Sequence, residues 1–135
     1  RVLDLYAGIG NLSLPLAARG LPVIAVEAPG PGSEDLRRNA AGLPAEVHAR
    51  PVERFDASRS PFDALVLDPP RAGAPGVLPK VTLLRPRVIV LVSCFAASAA
   101  RDLAELKGYR AVSVRCFDLF PDTHHVETVV VLERA

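Results

Sequence analysis

The chain has few of the features that mark secreted or membrane proteins. Its 135 residues include only two cysteines, Cys94 and Cys116, too few for a disulfide scaffold. The longest apolar run, residues 88–92, is far too short to cross a bilayer, and no basic-then-apolar signal segment opens the sequence. We therefore expect a protein of the reducing cytoplasm with no membrane-spanning segment.

Methionine is absent, and aromatic residues are scarce at 5% of the chain. Since half of the residues are apolar, we expect a folded domain whose core is built from Val, Leu and Ala rather than a disordered chain. The sequence opens on Arg1, directly inside a strand-like segment. We therefore expect it to be a piece of a longer protein whose beginning is missing.

An excess of charge of one sign is also lacking, because the formal net charge is only +1. Any binding of nucleic acid must then depend on local patches or on another domain. Arginine outnumbers lysine by 14 to 2 and suits planar contacts with phosphate or carboxylate. The arginines are scattered in a chain rich in Ala and Pro, however, which favours coding bias as their origin.

The hydrophobic pattern alternates strand, loop and helix along residues 1–135, as in a single α/β domain. We predict strands over residues 2–6, 22–27, 46–49, 62–68, 87–93, 109–117 and 126–133. We predict helices over residues 11–19, 33–41, 77–84 and 97–107, with residues 29–32 as a loop and Ser33 as a helix cap. Continuous apolar strands indicate a parallel sheet covered on both faces, and the last two strands, with no helix between them, should pair antiparallel.

The first candidate site is in residues 4–11 (DLYAGIGN), where Gly8 and Gly10 follow a strand and open a helix. Glycine allows close approach of a ligand to the backbone, and a helix N-terminus is polarised. The dinucleotide fingerprint needs a third glycine near position 13, where this chain has Ser13. Glu27 ends the second strand and can accept hydrogen bonds from both hydroxyls of a ribose. These features predict an adenosyl ligand; the alternative is a tight turn with a solvated glutamate.

The second candidate site is residues 68–71 (DPPR), at the end of a predicted buried strand. Open α/β sheets bind ligands at the carboxyl ends of their strands, and two prolines stiffen this loop. Asp68 would then lie over the cleft, with Arg71 available for a phosphate or carboxylate. The alternative is a rigid turn with a capping aspartate.

The two cysteines lie in different settings. Cys94 follows the fifth strand and precedes a helix, whose N-terminus favours the nucleophilic thiolate, although a buried core thiol is the alternative. Cys116 lies within an alternating strand, where we expect an inert packing residue.

Residues 120–127 (FPDTHHVE) combine two histidines, His124 and His125, with acidic residues. Their spacing matches no tight metal-site pattern, so no metal is predicted. Glu127 opens the last strand and could direct a general base into the cleft. The alternative is a loop acid with two surface histidines.

Together these segments resemble the RNA uracil-C5 methyltransferase family, the enzymes that make 5-methyluridine in tRNA and 23S rRNA. The resemblance covers essentially the whole chain, as that family's C-terminal catalytic domain, and its specificity comes from the order and spacing of several short motifs. The matching segments are residues 4–11 (DLYAGIGN), 26–28 (VEA), 68–73 (DPPRAG), 92–94 (VSC), 100–103 (ARDL), 120–121 (FP) and 125–127 (HVE).

The resemblance implies a Rossmann-like class I methyltransferase fold: a mostly parallel seven-stranded sheet with an antiparallel last strand and helices on both faces. It implies S-adenosylmethionine as cofactor, bound by Tyr6, Gly8, Gly10, Asn11, Glu27 and Asp68. It also implies that Cys94 is the nucleophile and Glu127 the general base of an RNA (uracil-5-)-methyltransferase. Arg71 and His125 would contact the substrate, an rRNA or a tRNA.

The chain departs from the family's pattern in two respects. Phe95 and Ala96 follow the candidate nucleophile where the family usually has Asn-Pro, and Ala7 stands where many members have cysteine. The family's upstream part, which supplies an RNA-binding domain, has no counterpart in the sequence. We therefore expect RNA binding to need that missing N-terminal domain.

Three other functions compete with this interpretation. An RNA 5-methylcytosine methyltransferase also uses a cysteine, but the pairing of Cys94 with Glu127 in an HVE context disfavours it. An amino-methylating enzyme would have an aromatic residue where Arg71 follows the two prolines. A non-catalytic module that keeps only the cofactor fold is favoured by the unusual Phe95 and Ala96.

Overall fold

One seven-stranded sheet organises the computed structural model, which describes residues 1–57, 61–123 and 125–135. In chain order the elements are β1 Val2–Leu5, α1 Leu14–Ala17, β2 Val23–Glu27, α2 Pro31–Asn39, β3 Ala45–Ala49, a 3₁₀ turn Val52–Arg54, β4 Ala64–Leu67, α3 Leu78–Leu83, β5 Val88–Ser93, α4 Ala96–Glu105, β6 Tyr109–Phe117 and β7 Glu127–Arg134. The strand order is β3-β2-β1-β4-β5-β7-β6.

The direction of each strand agrees with the sequence pattern. The first five strands pair in parallel, and β7 runs antiparallel to both β5 and β6. The predicted sheet, with its antiparallel last strand, is therefore confirmed.

Helices cover both faces of the sheet, also as predicted. On one face, Leu3 and Leu91 pack with Leu78 and Val81 of α3. On the other face, a smaller cluster joins the strands to α1 and α2; it includes Val2, Val23, Ala25, Leu14, Ala17 and Leu36. The core is aliphatic because strands buried on both faces need branched, apolar side chains. No described helix combines the length and apolar character needed to cross a membrane.

Helix boundaries agree less well than strand boundaries. The predicted helix over residues 11–19 is only Leu14–Ala17, because hydrogen-bonded turns occupy most of the remainder. Ser33 is not the cap of α2, and residues 31–32 are not loop: Gly30 is the N-cap and Pro31 begins the helix. Proline suits this first position because its missing N–H has no helical partner there. Ser33 instead lies buried in the first turn and bonds the Gly30 backbone at 2.9 and 3.1 Å.

Gly10 is required for close packing at the turn after β1. Its φ is +97°, and an added Cβ would lie 2.5 Å from Leu14 Cγ and 2.9 Å from Leu36 Cδ1. We expect Gly10→Ala to lower the free energy of unfolding by about 2–4 kcal/mol, from overpacking plus a left-handed alanine. Urea unfolding measures this loss.

The matched control for this substitution is Gly42→Ala. Gly42 also has a left-handed φ of +77°, but an added Cβ would meet nothing within 4 Å. It should therefore show only the backbone cost, about 1–2 kcal/mol. Equal losses at the two glycines would contradict a steric role for Gly10.

Candidate functional site

The topology gathers most of the predicted site residues at one edge of the sheet. The carboxyl ends of β1, β2, β4 and β5 lie together there, as in other open α/β sheets. β7 starts at the same edge, because Thr128 pairs with Ser93 in the antiparallel ladder. Gly8, Glu27, Asp68, Cys94 and Glu127 all belong to these strand ends.

A recess at this edge holds three of the predicted cofactor residues. Its walls are formed by Tyr6, Glu27, Ala28, Pro51, Val52, Glu53, Asp68 and Pro70. A separate, apolar pocket under α3, whose walls include Leu5, Phe55 and Val81, contains none of the predicted site residues. The recess is therefore the candidate ligand site.

The Glu27 carboxylate is fixed by two backbone amides. Gly8 N donates to Oε2 at 2.7 Å, and Ala28 N donates to Oε1 at 2.9 Å. Each oxygen keeps a lone pair for a further donor. Gly8 has a φ of +57°, and a Cβ there would meet nothing within 4 Å, so the backbone next to the carboxylate is open to a ligand.

Tyr6 forms another wall of the recess in an unusual conformation. Its φ is +64°, and its hydroxyl donates to Glu53 Oε1 at 3.3 Å. Burial, with the negative charge of Glu53 second, raises the pKa of Tyr6 to about 12, so the phenol stays a proton donor. Lys80 Nζ donates to the Glu53 carbonyl at 2.7 Å and holds that turn in place. Glu53 was not predicted, since no sequence motif distinguishes it from other exposed acids.

Three predicted cofactor residues, Gly8, Gly10 and Asn11, are not among the walls of the recess. Gly10 is buried against Leu14 and Leu36, which makes it a packing residue of the turn. Asn11 is exposed on the same turn.

Carboxyl groups dominate the electrostatics of the cleft. Asp4, within β1, is 1% exposed, and neither of its oxygens has a hydrogen-bond partner among the described residues. The pKa of Asp4 is raised to about 7, chiefly by burial. The Ser13 hydroxyl opposes this shift, and the charges of Asp68 and Glu27 add to it. The sequence signal for Asp4 was a carboxylate inside an otherwise apolar strand, VLDL.

Asp68 is exposed overall, yet its carboxyl contributes to the wall of the recess. Desolvation there, and then the neighbouring charge of Glu127, raises the pKa of Asp68 to about 6. Asp68 follows β4 and Glu127 begins β7, so the recess and the start of β7 lie at one edge of the sheet.

Two residues of α4 shape the loop after β4. Asp102, 2% exposed, accepts a hydrogen bond from Ala74 N at 3.0 Å, and Arg101 donates to the Ala72 carbonyl. Gly73 lies between them with a φ of +82°, and a Cβ there would be 2.6 Å from Asp102 Oδ2. The loop that carries Asp68 and Arg71 is thus fixed from the neighbouring helix. Residues 101–102 are part of the matching segment at 100–103, but no local sequence pattern predicts this role for them.

Cys94 is a free, half-buried thiol in a tight turn. Ser93 Oγ accepts a hydrogen bond from Phe95 N at 3.2 Å, and Ser98 Oγ donates to the Phe95 carbonyl at 2.9 Å. α4 begins immediately afterwards, with Phe95 as its N-cap. Cys116 is not the packing residue that we expected: it is exposed, because β6 is the edge strand of the sheet.

The remaining predicted residues lie around the mouth of the cleft. Glu127 is the half-buried first residue of β7. The guanidinium carbon of Arg71 lies 4.7 Å from the centre of the Phe95 ring. The ring of His125 meets Phe120 edge-on at 6.2 Å.

No group of three or more potential metal ligands occurs within the ranges that the structure describes. His124 lies outside those ranges.

Known proteins resemble the chain in both sequence and structure. The family profile for tRNA (Uracil-5-)-methyltransferase matches residues 45–135. The 23S rRNA (uracil(1939)-C(5))-methyltransferase RlmD of Klebsiella pneumoniae is 43% identical over 99% of this chain. The RlmD of a Shewanella species is 42% identical over the whole chain. The chain spans about a third of the length of these curated relatives, 33% and 32% respectively.

Solved structures give the same result. The Pyrococcus abyssi tRNA (uracil-54, C5)-methyltransferase, in complex with S-adenosyl-L-homocysteine, superposes with a TM-score of 0.88 at 36% identity, over 98% of this chain and 34% of that one. The Synechocystis magnesium protoporphyrin IX methyltransferase, with bound SAM, superposes with a TM-score of 0.74 over 99% of this chain and 69% of that chain. Because the two sequences are only 14% identical, this likeness shows the Rossmann-like methyltransferase fold alone. With the profile matching well over half of its residues, the chain belongs to the tRNA (uracil-5-)-methyltransferase family, whose members depend on S-adenosylmethionine.

Proposed function

We propose that this chain is the catalytic domain of an RNA methyltransferase that methylates C5 of a uridine in rRNA or tRNA through a Cys94 adduct. The observation that carries the proposal is the register of β5 and β7. Ser93 pairs with Thr128 as the last pair of that ladder, so Cys94 and Glu127 are each the next residue beyond it, at the same edge of the sheet. A thiol and a carboxylate at one edge of the cleft suit a reaction that needs a nucleophile and a base at one ring.

The chemistry of uracil explains why both groups are needed. C5 is too weak a nucleophile to take a methyl group directly. Addition of the Cys94 thiolate to C6 converts C5 into an enolate carbon. That carbon would form the bond to the methyl carbon as the methyl–sulfur bond of the sulfonium breaks, and the sulfur would leave as a neutral thioether. The Glu127 carboxylate removes the C5 proton, the thiolate leaves C6, and the C5–C6 double bond returns.

The recess fits the cofactor that this reaction needs. S-adenosylmethionine supplies an electrophilic methyl group on a cationic sulfur. The buried carboxyl of Asp4, whose oxygens have no described partner, and the neighbouring Asp68 and Glu27 favour a ligand with positive charge. The fixed Glu27 carboxylate suits a ribose diol, Tyr6 borders the same recess, and Gly8 N donates to Glu27.

Substrate contacts are proposed for Arg71 and His125 at the mouth of the cleft. RNA is the partner implied by the names of the relatives, which act on 23S rRNA and tRNA. The target base must leave its stack to reach Cys94. Because the chain spans a third of its relatives' length, we assign target selection to the remainder of a longer protein.

A Glu27→Ala substitution should weaken binding of S-adenosylmethionine. It removes the acceptor for the ribose hydroxyls and leaves the Gly8 and Ala28 amides without their partner. We expect a loss of about 1–3 kcal/mol in binding free energy, measured by calorimetry. Glu34→Ala, at the first turn of α2, is the matched control and should bind normally. Unchanged affinity after Glu27→Ala would reject the ribose role.

The proposal is tested by trapping the enzyme on modified RNA. Fluorine at C5 cannot leave as a proton, so RNA containing 5-fluorouridine should stop the reaction at the covalent stage when S-adenosylmethionine is present. Intact-mass analysis should show a protein–RNA adduct, and peptide mapping should assign it to Cys94. Cys116→Ala should still form the adduct and Cys94→Ala should not. No adduct, or one that survives Cys94→Ala, would contradict the proposal.

A further inference from the structure

We propose that Phe95 is a positioning residue that holds the Arg71 guanidinium at the mouth of the cleft as a binding site for an RNA backbone phosphate. The inference rests on the proposed function for its ligand. It concerns the position where this chain has Phe95 instead of the asparagine usual in the family.

Arg71 and Phe95 connect the loops after two neighbouring strands, β4 and β5. The guanidinium lies over the ring at 4.7 Å, within the range of a cation–π interaction. Among the described residues Arg71 has no hydrogen-bond or ion-pair partner, and it is exposed. Its N–H groups therefore remain available, while the ring limits the positions that the side chain can occupy.

Both loops are rigid, which gives this contact a defined place. The backbone of Phe95 is fixed by Ser93 Oγ and by Ser98 Oγ, at 3.2 and 2.9 Å. On the other side, Asp102 and Arg101 of α4 hold the loop after Arg71 through the amide of Ala74 and the carbonyl of Ala72. The ring and the guanidinium thus meet between two anchored backbones.

The charges around the cleft indicate why a phosphate would bind here. Glu27 and Asp68 line the recess and Glu127 lies close to Asp68, and these carboxylates repel a polyanion. The net charge of +1 offers no general attraction for RNA. The Arg71 guanidinium beside the Cys94 turn provides a local positive charge, and its planar donors match a phosphate in bidentate geometry. Its exposure places it at the rim, where the backbone of an extruded nucleotide would pass.

The experiment compares the alkylation rates of Cys94 by iodoacetate, an anion, and by iodoacetamide, its neutral analogue, with peptide mapping by mass. A held guanidinium should favour the anion, so we expect Phe95→Leu to lower the iodoacetate-to-iodoacetamide ratio at Cys94 about threefold or more at low salt. Arg71→Gln should lower the ratio equally, and the double variant no further. Phe95→Tyr, which keeps a ring, should restore it. Cys116, on the edge strand β6 two strands from β5, is the internal control, and its ratio should change much less than the ratio at Cys94.

Three results would overturn the inference. One is an unchanged ratio at Cys94 in Phe95→Leu, and a second is a double variant whose loss is the product of the two single losses. A loss that Phe95→Tyr fails to restore would also show that the ring does not position Arg71. The alkylation needs neither RNA nor cofactor, so its outcome is separate from the 5-fluorouridine adduct. If the 5-fluorouridine adduct forms normally but the variants leave the iodoacetate-to-iodoacetamide ratio at Cys94 unchanged, only the phosphate site is rejected. If the variants lower that ratio as expected but no adduct forms, only the catalytic proposal is rejected.

The phosphate itself is tested by the salt dependence of adduct formation at sub-saturating RNA. Loss of one phosphate contact to a single strand should reduce the slope of log rate against log salt by about 0.7. We expect that reduction in Phe95→Leu and in Arg71→Gln. Arg110→Gln is the control and should keep the parent slope, because Arg110 lies on the edge strand β6 and its guanidinium is 3.8 Å from the Glu133 carboxylate. A slope that stays at the parent value in Arg71→Gln would assign the anion site to something other than RNA phosphate.

Discussion

Replacing Cys94 with alanine is expected to abolish methyl transfer, whereas replacing Glu127 with glutamine should stop the same reaction at a later step. Without the thiol, C5 never becomes nucleophilic, so the rate should fall by at least about 1,000-fold. With the thiol present and the carboxylate absent, addition and methyl transfer proceed but the C5 proton is not removed. Glu127→Gln should therefore accumulate a methylated covalent adduct on ordinary uridine RNA, detected by intact mass.

Cys116→Ala is the matched control for the loss of a thiol, because Cys116 is exposed on the edge strand β6, two strands from β5, which leads into Cys94. It should leave the rate unchanged.

Asp68 is the control for the base, since its carboxyl lies near that of Glu127 and its pKa is raised to about 6. If Glu127→Gln turns over normally while Asp68→Asn accumulates the adduct, the general base is Asp68. If Glu127→Gln forms no adduct at all, the carboxylate acts before methyl transfer and the assigned role is wrong.

The strands were predictable from the sequence because most are short apolar runs between turn residues and β6 has an alternating pattern. Their observed bounds differ from the predicted ones by at most two residues, and β6 agrees at both ends. Helices were harder, since α1 is only one turn long and its flanking turns have similar composition. The Gly30 cap of α2 was missed because Ser33 is also a good capping residue, and only the burial of its side chain distinguishes the two positions.

The meeting of the site residues was also predictable, because parallel strands place their carboxyl ends together. The contacts between loops were not. Asp102 and Ala74 are 28 residues apart, and Arg71 and Phe95 belong to different strands, so no local pattern indicates that they touch. The pKa of Asp4 has the same origin: its burial depends on elements that pack over β1, which periodicity alone does not describe.

The cleft therefore combines two demands that oppose each other. A cationic ligand favours ionised carboxyls, yet burial of Asp4 without a partner disfavours its ionised form. Such a group lowers the stability of the ligand-free fold while it contributes to binding. Functional sites commonly show this conflict, and it can be measured through the dependence of stability on pH.

We expect Asp4→Asn to stabilise the chain at pH 8 and to flatten the dependence of its stability on pH. The carboxyl has a pKa of about 7 in the folded chain against 3.8 for an unperturbed aspartate. Between these pH values the unfolded chain has released the proton and the folded chain still holds it. The free energy of unfolding therefore falls as the pH rises from about 4 to about 7, and it falls no further above that range. The penalty that asparagine removes is on the order of 2–4 kcal/mol at pH 8 and small at pH 4.

Urea unfolding at several pH values between 4 and 8 measures this effect, with Asp118→Asn as the control because Asp118 is exposed on the loop after β6. The control should keep the slope of the parent chain. Binding of S-adenosylmethionine to Asp4→Asn should weaken at the same time, because the substitution removes a negative charge that the ligand's cationic groups would otherwise meet. If Asp4→Asn unfolds with the parent's pH dependence, Asp4 ionises in the folded chain as readily as in the unfolded one. Its burial then does not destabilise the ligand-free fold.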